Sequence, residues 1–289
     1  MNYVLHLLIM ICIYSILSLS LNLLVGYTGL LSLCHAAFYG IGAYVSALLM
    51  TKLGLNFFLA LPVSVIISML LSLLVAYPSL RFKGDYFILT ALSFQIIIFS
   101  VLHNCAGFTG GPYGIPGIPK PHLFGFEFNS LPLFLLLSVI LASLVFFVIY
   151  RISSSPFGRV LKAIREDELA TLALGKKVAG FKIQAFMISG GIAAIAGGLY
   201  AGYITYIDPT SFTLDESIFI LAIILVGGSG NIKGPIVGTV FMIILPEILK
   251  FLGIPDTIAP NVRQMIYGAL LVLMMFIRQQ GIAGEYKFE

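Results

Sequence analysis

The segment from Arg151 to Lys182 carries the densest charge in this sequence. It holds seven of the 16 Lys and Arg residues, and Glu166, Asp167 and Glu168 lie among them. Mixed charge at this density is suited to recognition of another charged surface, either a protein or lipid headgroups. No nucleophile and general base stand near one another in the sequence pattern, so the chemistry expected here is binding.

Helix signals predict that this loop, residues 151–182, is folded. Ser155 suits an N-cap, Pro156 suits the first helical position, and Gly175 suits the C-terminal cap. Together they predict one helix of about 18 residues and roughly 27 Å. An apolar stripe runs along it at helical spacing, formed by Phe157, Val160, Leu161 and Ile164. The helix is interpreted either as a docking site for a cytoplasmic protein or as an interfacial helix on lipid headgroups.

Polar residues inside apolar runs form a second set of candidates. In the segment 26–49, Ser32 and His35 lie close to four glycines that permit bends or close helix contact. Polar groups at membrane depth are costly unless they find a partner, so they mark either a polar path or hydrogen bonds between helices. The candidates for a translocation path are Asn22, Ser32, His35, Thr90 and Gln95.

A Gly- and Pro-rich segment, residues 105–122, contains five Gly and four Pro. It is predicted to be an ordered outer loop or a re-entrant segment, with Thr109, Gly110 and Gly111 as candidate functional residues. No Gly-Lys-Ser/Thr motif follows it, so it does not predict a phosphate site. Three scattered cysteines predict neither a disulfide framework nor a zinc site. We therefore predict no catalytic residue, no metal and no cofactor in this chain.

The composition is that of a polytopic membrane protein. Hydrophobic residues make up 60% of the 289 residues, and charged residues make up 10%, against about 25% in typical soluble proteins. Long uncharged runs must be helical in lipid, because each segment has to satisfy its own backbone hydrogen bonds. The prediction is an all-α transmembrane bundle that forms one domain, 1–289. The net charge of +4 comes from basic residues beside the predicted spans and does not indicate nucleic-acid binding.

Nine spans are predicted, at 3–25, 33–51, 57–77, 86–104, 131–150, 183–205, 216–229, 235–252 and 263–278. The Gly-rich connections 26–32 and 227–234 are alternatively broken helices inside the membrane, which gives a range of eight to ten spans. Basic residues place the loops with Arg81 and Lys83, the loop 151–182 and the C-terminus inside, and the acidic segment 206–216 outside. The similar motifs VGYTG (25–29) and VGGSG (226–230) would then lie on the same side.

Several motifs, taken in order, resemble the membrane subunit of the branched-chain amino acid ABC importers. They are LNLLVGYTGLLSLCHAAFYGIGAYVSALL, KGDYFILTALSFQIII, TGGPYGIPGIP, SPFGRVLKAIREDELATLALG with KIQAFMISGGIAAIAGGLYA, and VGGSGNIKGPIVGTVF. The resemblance covers about residues 20–250. The sequence departs from the family pattern at Cys34, where Gly is usual, and at Thr171, where Ala is usual.

The resemblance implies a permease of the prokaryotic cell membrane, not an enzyme, for branched-chain or other neutral amino acids. It implies four kinds of partner: a second homologous permease subunit, two ATP-binding subunits that hold ATP and Mg²⁺, a solute-binding protein, and membrane lipid. By resemblance, the coupling residues toward the ATP-binding subunits are Gly158, Arg159, Glu168, Ala170 and Gly175. The alternatives are a urea or short-chain amide importer and a stand-alone secondary transporter.

Overall fold

The computed structural model describes residues 2–79, 82, 84–123, 126–128, 130–250, 262, 265–269, 272, 273, 276 and 281–283. Half of the predicted span 263–278 lies outside these residues, as do the charged residues Arg81, Lys83, Arg278 and Lys287. The helices are α1 (Asn2–Thr28), α2 (His35–Lys52), α3 (Phe57–Ser79), α4 (Asp85–Asn104), α5 (Ala106–Thr109), α6 (Leu131–Ser154), α7 (Pro156–Glu166), α8 (Glu168–Ala173), α9 (Val178–Ile204), α10 (Leu214–Gly227) and α11 (Lys233–Lys250).

The fold is the predicted all-α bundle. Eight of the nine predicted spans correspond to helices, with ends that differ by a few residues. Within the described part of the chain, five helices are long and apolar enough to cross a membrane: α1, α3, α4, α6 and α9. Among the described residues, strands are confined to four two-residue segments, β1 (Ile115–Pro116), β2 (His122–Leu123), β3 (Phe126–Glu127) and β4 (Tyr206–Ile207).

Helices α2 and α9 pack with their backbones in contact. A Cβ added at Gly42 would lie 2.5 Å from the carbonyl oxygen of Ala194. A Cβ added at Gly197 would lie 2.6 Å from the amide nitrogen of Ala43. Only glycine permits this approach, as small residues generally do where membrane helices meet closely.

Helix α10 is too short to be the full span that the sequence predicted for 216–229. Its 14 residues extend about 21 Å, against a hydrocarbon core of about 30 Å. The chain reaches it through a 3₁₀ turn, Pro209–Phe212, whose Phe212 ring is buried against Tyr39 with centroids 5.0 Å apart. The segment 206–216, predicted to lie outside, therefore descends into the bundle, because its aromatic residue packs between helices.

The Gly- and Pro-rich segment 105–122 is an ordered loop. Its β1 pairs antiparallel with β4, which connects α9 to the turn before α10. Thr109 Oγ1 donates hydrogen bonds to the carbonyls of Leu102 and Cys105 and accepts one from the Gly111 amide. Gly110 and Gly111 both have positive φ, at 76° and 57°, which glycine adopts without strain. The three candidate residues of this loop thus build its turn.

The last described residues, 281–283, cover the end of α10. The amides of Ile282 and Ala283 donate to the carbonyls of Val226 and Gly227, each at 2.9 Å. The Asn231 side chain donates to the Ala283 carbonyl. These bonds satisfy carbonyls that a helix C-terminus leaves without intrahelical partners.

Candidate functional site

The connection between α1 and α2 turns back into the bundle. His35, the first residue of α2, lies with its Nε2 2.7 Å from the Ser20 hydroxyl of α1. Ser20 stands eight residues before the end of α1, which is about 12 Å along the helix. The chain must therefore return along α1 through residues 29–34, and α2 begins inside the bundle. This geometry matches the broken-helix alternative for the connection 26–32.

Side chains from two other helices accept hydrogen bonds from the buried backbone amides at the start of α2. The Ala36 amide donates to Ser217 Oγ of α10 at 2.9 Å, and the Ala37 amide donates to Gln95 Oε1 of α4 at 2.7 Å. The Gln95 side-chain amide in turn donates to the Phe212 carbonyl at 2.9 Å. The starts of α2 and α10 are joined here through one glutamine.

This junction is a buried polar centre with a helix N-terminus aimed into it. His35, Gln95 and Ser217 are at most 1% exposed. His35 Nδ1 has no hydrogen-bond partner among the residues that the structure describes. Ser189 of α9 lies 3.5 Å from the other ring nitrogen. Such a centre can orient dipoles toward a polar solute, and the positive end of a broken helix favours an anionic group.

The five predicted path residues occupy three different places. The structure brings His35 and Gln95 together at the start of α2, and Ser32 lies just before it with its hydroxyl 3.1 Å from Cys34 Sγ. Asn22 lies further toward the end of α1, where it bonds to the Gly230 amide and the Asn231 carbonyl. Thr90 donates to the Tyr86 carbonyl of its own helix. The role of all five in transport stays a prediction.

The bonds of Asn22 also bring the two similar Gly-rich motifs together. Gly26 lies one turn beyond Asn22 in α1, and a Cβ there would lie 2.6 Å from the Gly230 amide nitrogen. The segments 25–29 and 226–230 therefore lie side by side, on the same side of the bundle as predicted.

The charged loop folds as two helices, and the prediction of a single 18-residue helix is wrong. Ser155 caps α7 as predicted, with its Oγ accepting from the Gly158 amide at 3.3 Å. Asp167 then adopts an extended conformation and ends α7. Its carboxylate accepts from the amides of Leu169 and Ala170 at 2.8 and 3.0 Å, so it caps α8. Gly175 follows α8 with a φ of 77°.

Helix α7 is attached to the transmembrane helices. Leu161 and Ile164 of the apolar stripe are buried, and the Phe157 ring stacks on Phe181 of α9 with centroids 5.6 Å apart. Arg165 Nη1 donates to the Gly26 carbonyl of α1 at 2.6 Å. The stripe therefore contacts the chain's own bundle, and neither a docked protein nor lipid headgroups are needed to cover it.

A cavity of about 400 Å³ lies between α7, the end of α1 and the start of α4. Its polar lining includes Asp85, Arg165 and Glu168. Lys182 of α9 also lines it and forms an ion pair with Glu168 at 2.8 Å.

Comparison with known proteins identifies the family. A family model described as the permease component of the branched-chain amino acid transport system matches residues 3–275. The chain belongs to this family. It is 38% identical over 296 residues to the high-affinity branched-chain amino acid transport system permease protein LivM of Salmonella typhimurium. The aligned segment covers 94% of this chain and 68% of that protein. No solved structure matches the chain.

Further relatives agree with this assignment. LivM of Escherichia coli is 37% identical over 293 residues, covering 93% of this chain and 67% of that protein. The probable branched-chain amino acid transport permease protein LivM of Methanocaldococcus jannaschii is 28% identical over 319 residues, covering 94% and 91%. The resemblance drawn from the motifs is confirmed: the chain is a multi-pass membrane permease of the ABC transporter class and not an enzyme.

The predicted coupling residues of the permease differ in their surroundings. Arg159, Ala170 and Gly175 are exposed, whereas Glu168 is half-buried in its ion pair with Lys182. Gly158 is buried, and a Cβ there would lie 2.6 Å from the Ser153 carbonyl oxygen, so glycine is needed for the tight corner between α6 and α7. Thr171, the departure from the family pattern, is buried, with its hydroxyl donating to the Asp167 carbonyl at 2.8 Å.

Sequence reasoning missed several residues of the permease that the structure places at these sites. Ser20, Ser189 and Ser217 surround the start of α2, but single serines in apolar helices are usually bonded to their own helix and give no signal. The apolar residues Leu169, Leu172 and Leu174 are 70%, 47% and 78% exposed on the charged loop. A sequence signal for this exposed apolar surface does exist: the leucines directly follow a charged cluster and lie outside the apolar stripe.

Proposed function

We propose that this permease carries branched-chain or other neutral amino acids across a prokaryotic cell membrane, as one subunit of an ABC importer. Its partners are a second homologous permease subunit, two ATP-binding subunits that hold ATP and Mg²⁺, and an extracellular solute-binding protein. The names of the relatives, which state branched-chain amino acid transport, support the substrate.

The observation that supports the coupling mechanism is the hydrogen bond from Arg165 to the Gly26 carbonyl. It joins the cytoplasmic helix α7 to α1 immediately before the chain turns back at residues 29–34. Movement of α7 is therefore passed to the connection that holds the start of α2. Because α2 begins at the buried polar centre, movement of the ATP-binding subunits reaches the candidate path through covalent and hydrogen-bonded contacts.

The surface that contacts the ATP-binding subunit is α8 and the residues after it. Its exposed leucines, Leu169, Leu172 and Leu174, are apolar groups that a protein partner covers. The caps at Asp167 and Gly175 hold this segment in one conformation, which lowers the entropy cost of docking. Arg159 and Ala170 are also exposed on this loop.

The buried polar centre suits a substrate with a large apolar part. His35, Gln95 and Ser217 are isolated polar groups within otherwise apolar helices. An aliphatic side chain needs no polar contacts, and a zwitterion needs only a few placed dipoles.

The test is reconstitution of the permease in liposomes with the second permease subunit, the two ATP-binding subunits and the solute-binding protein. We expect ATP-dependent uptake of leucine, isoleucine or valine by the full complex and no uptake by this chain without its partners. Uptake of urea in place of amino acids would favour the amide importer, and uptake by the isolated chain would favour a secondary transporter. Either result would overturn the proposal.

A pair of variants tests the docking surface. Substituting both Leu169 and Leu172 with Ser removes exposed apolar area and is expected to reduce co-purification of the ATP-binding subunits about tenfold or more. The control is Tyr113→Ser, which also removes an exposed apolar side chain, 86% exposed, but on the loop 105–122. Equal co-purification of both variants would show that α8 does not bind the ATP-binding subunit.

A further inference from the structure

Glu216 lies at a depth where a carboxylate is unusual. It is in the first turn of α10 and is half-buried. Its Oε1 accepts a hydrogen bond from the Tyr14 hydroxyl of α1 at 2.6 Å. Tyr14 stands 12 residues after the start of α1, or about 18 Å along this helix. The carboxylate is therefore held close to the midpoint of a transmembrane helix.

Aromatic side chains surround this carboxylate. Tyr39 of α2 and Tyr200 of α9 both lie within electrostatic range of Glu216, and their ring centroids are 5.5 Å apart. The Tyr39 hydroxyl is buried, in a residue 1% exposed, and has no hydrogen-bond partner among the described residues. The Phe219 ring packs edge-on against Tyr14, with ring centroids 5.4 Å apart. Four helices thus contribute to one site.

The described residues around Glu216 include no ion-pair partner for its carboxylate. Within the part of the chain that the structure describes, Glu216 forms no ion pair, and its only hydrogen bond comes from Tyr14. A carboxylate among apolar helices is costly unless a cation or several donors compensate it, and such residues commonly mark substrate paths. Aromatic faces beside a carboxylate are the surroundings that bind an ammonium group, by charge attraction and cation–π contact.

We propose that Glu216, with Tyr14, Tyr39 and Tyr200 around it, binds the ammonium group of the transported amino acid. The inference rests on the proposed function and names the group in this chain that recognises the substrate. Tyr14, Tyr200 and Glu216 are each partly exposed, so the site is not sealed within the bundle. A solute without an ammonium group would leave this carboxylate desolvated and unpaired, which costs free energy. The site therefore binds such solutes more weakly.

The experiment measures ATP-dependent leucine uptake by the reconstituted complex. Glu216→Gln keeps the shape of the side chain and removes its charge, and we expect at least about a tenfold fall in uptake. Asp215→Asn removes the neighbouring, exposed carboxylate and serves as the matched control. Unchanged uptake in Glu216→Gln, or an equal loss in Asp215→Asn, would overturn the proposal.

Thermal unfolding of the solubilised complex gives a readout that does not depend on transport. Excess leucine is expected to raise the melting temperature of the wild-type complex, because a ligand stabilises the state that binds it. The probe 4-methylpentanoate, which has the same apolar chain and no ammonium group, should give no shift. The leucine shift should disappear in Glu216→Gln and persist in Asp215→Asn. An equal shift with both solutes, or a leucine shift that persists in Glu216→Gln, would contradict ammonium binding.

The two proposals fail in different ways. If the wild-type complex takes up no neutral amino acid, the proposed function is wrong. If it takes up leucine and Glu216→Gln does so equally well, the function stands and the ammonium site is wrong.

Discussion

Arg165 and Gly26 are joined by a hydrogen bond of 2.6 Å from the guanidinium to a backbone carbonyl. The carbonyl belongs to the last turn of α1, where no later helical amide donates to it. A cation at this position also complements the negative end of the helix dipole. The bond therefore stabilises the point at which α1 ends and connects it to α7.

The first prediction concerns this bond. Arg165→Ala should lower substrate uptake per ATP hydrolysed severalfold, because α7 loses its contact with the end of α1. Both quantities are measured in proteoliposomes that contain the full complex. Arg159→Ala is the comparison, since Arg159 is exposed and its one described hydrogen bond, to Ser154, is long at 3.5 Å. The Arg159→Ala variant should weaken assembly with the ATP-binding subunits and leave substrate uptake per ATP hydrolysed unchanged. If both variants lowered uptake per ATP equally, Arg165 would have no specific role in coupling.

The second prediction concerns the bridge between α4 and the start of α2. Gln95→Leu leaves the Ala37 amide and the Phe212 carbonyl buried without their partner. Each loss is expected to cost about 1–3 kcal/mol of stability. The melting temperature of the purified complex should fall clearly. Thr90→Val in the same helix removes only a bond to the Tyr86 carbonyl and should change the melting temperature little. A similar fall in melting temperature in both variants would count against the bridge.

The third prediction concerns the contact between α2 and α9. Gly42→Ala adds a methyl group where the backbone of Ala194 already lies, so the helices must separate. Overpacking of this kind costs about 1–3 kcal/mol, and expression and melting temperature should both fall. Gly180→Ala in α9 is the control, because nothing lies within 4 Å of its added Cβ. It should be neutral or stabilising by up to about 1 kcal/mol, and loss of stability in this control would undermine the packing argument.

The fourth prediction concerns the cap of α8. Asp167→Ala removes the acceptor for the amides of Leu169 and Ala170, at a cost of about 1 kcal/mol. Hydrogen exchange of the peptide 168–175 should quicken about fivefold in the complex. Asp167→Asn keeps an acceptor oxygen and should exchange at nearly the wild-type rate. If Asn also quickened exchange fully, charge and not capping would be responsible.

The sequence predicted the helices well because their signal is strong and local. Uncharged apolar runs define α1, α3, α4, α6 and α9, and Ser155 marks the start of α7 as expected. The depth of the shorter elements was not predictable in this way. Composition does not reveal that α10 starts inside the bundle, since that position depends on where Phe212 packs.

The candidate site was only partly predictable for a related reason. His35 and Gln95 stand out as polar residues in apolar surroundings, and they do meet. Glu216 did not stand out, because an acidic residue at the edge of an apolar run usually indicates the membrane surface. Asp167 was read as part of a charged helix, although the same residue type is a strong N-cap. Tertiary contacts decide such cases, and one sequence does not contain them.

The pairing of residues 281–283 with the end of α10 sets an order for biosynthesis. Val226 and Gly227 receive their final partners from amides that are translated more than 50 residues later. While the ribosome is still extending the chain, this end of α10 cannot adopt its finished form. Asn231 also bonds to the Ala283 carbonyl, so this corner of the permease can close only after residue 283 has been synthesised.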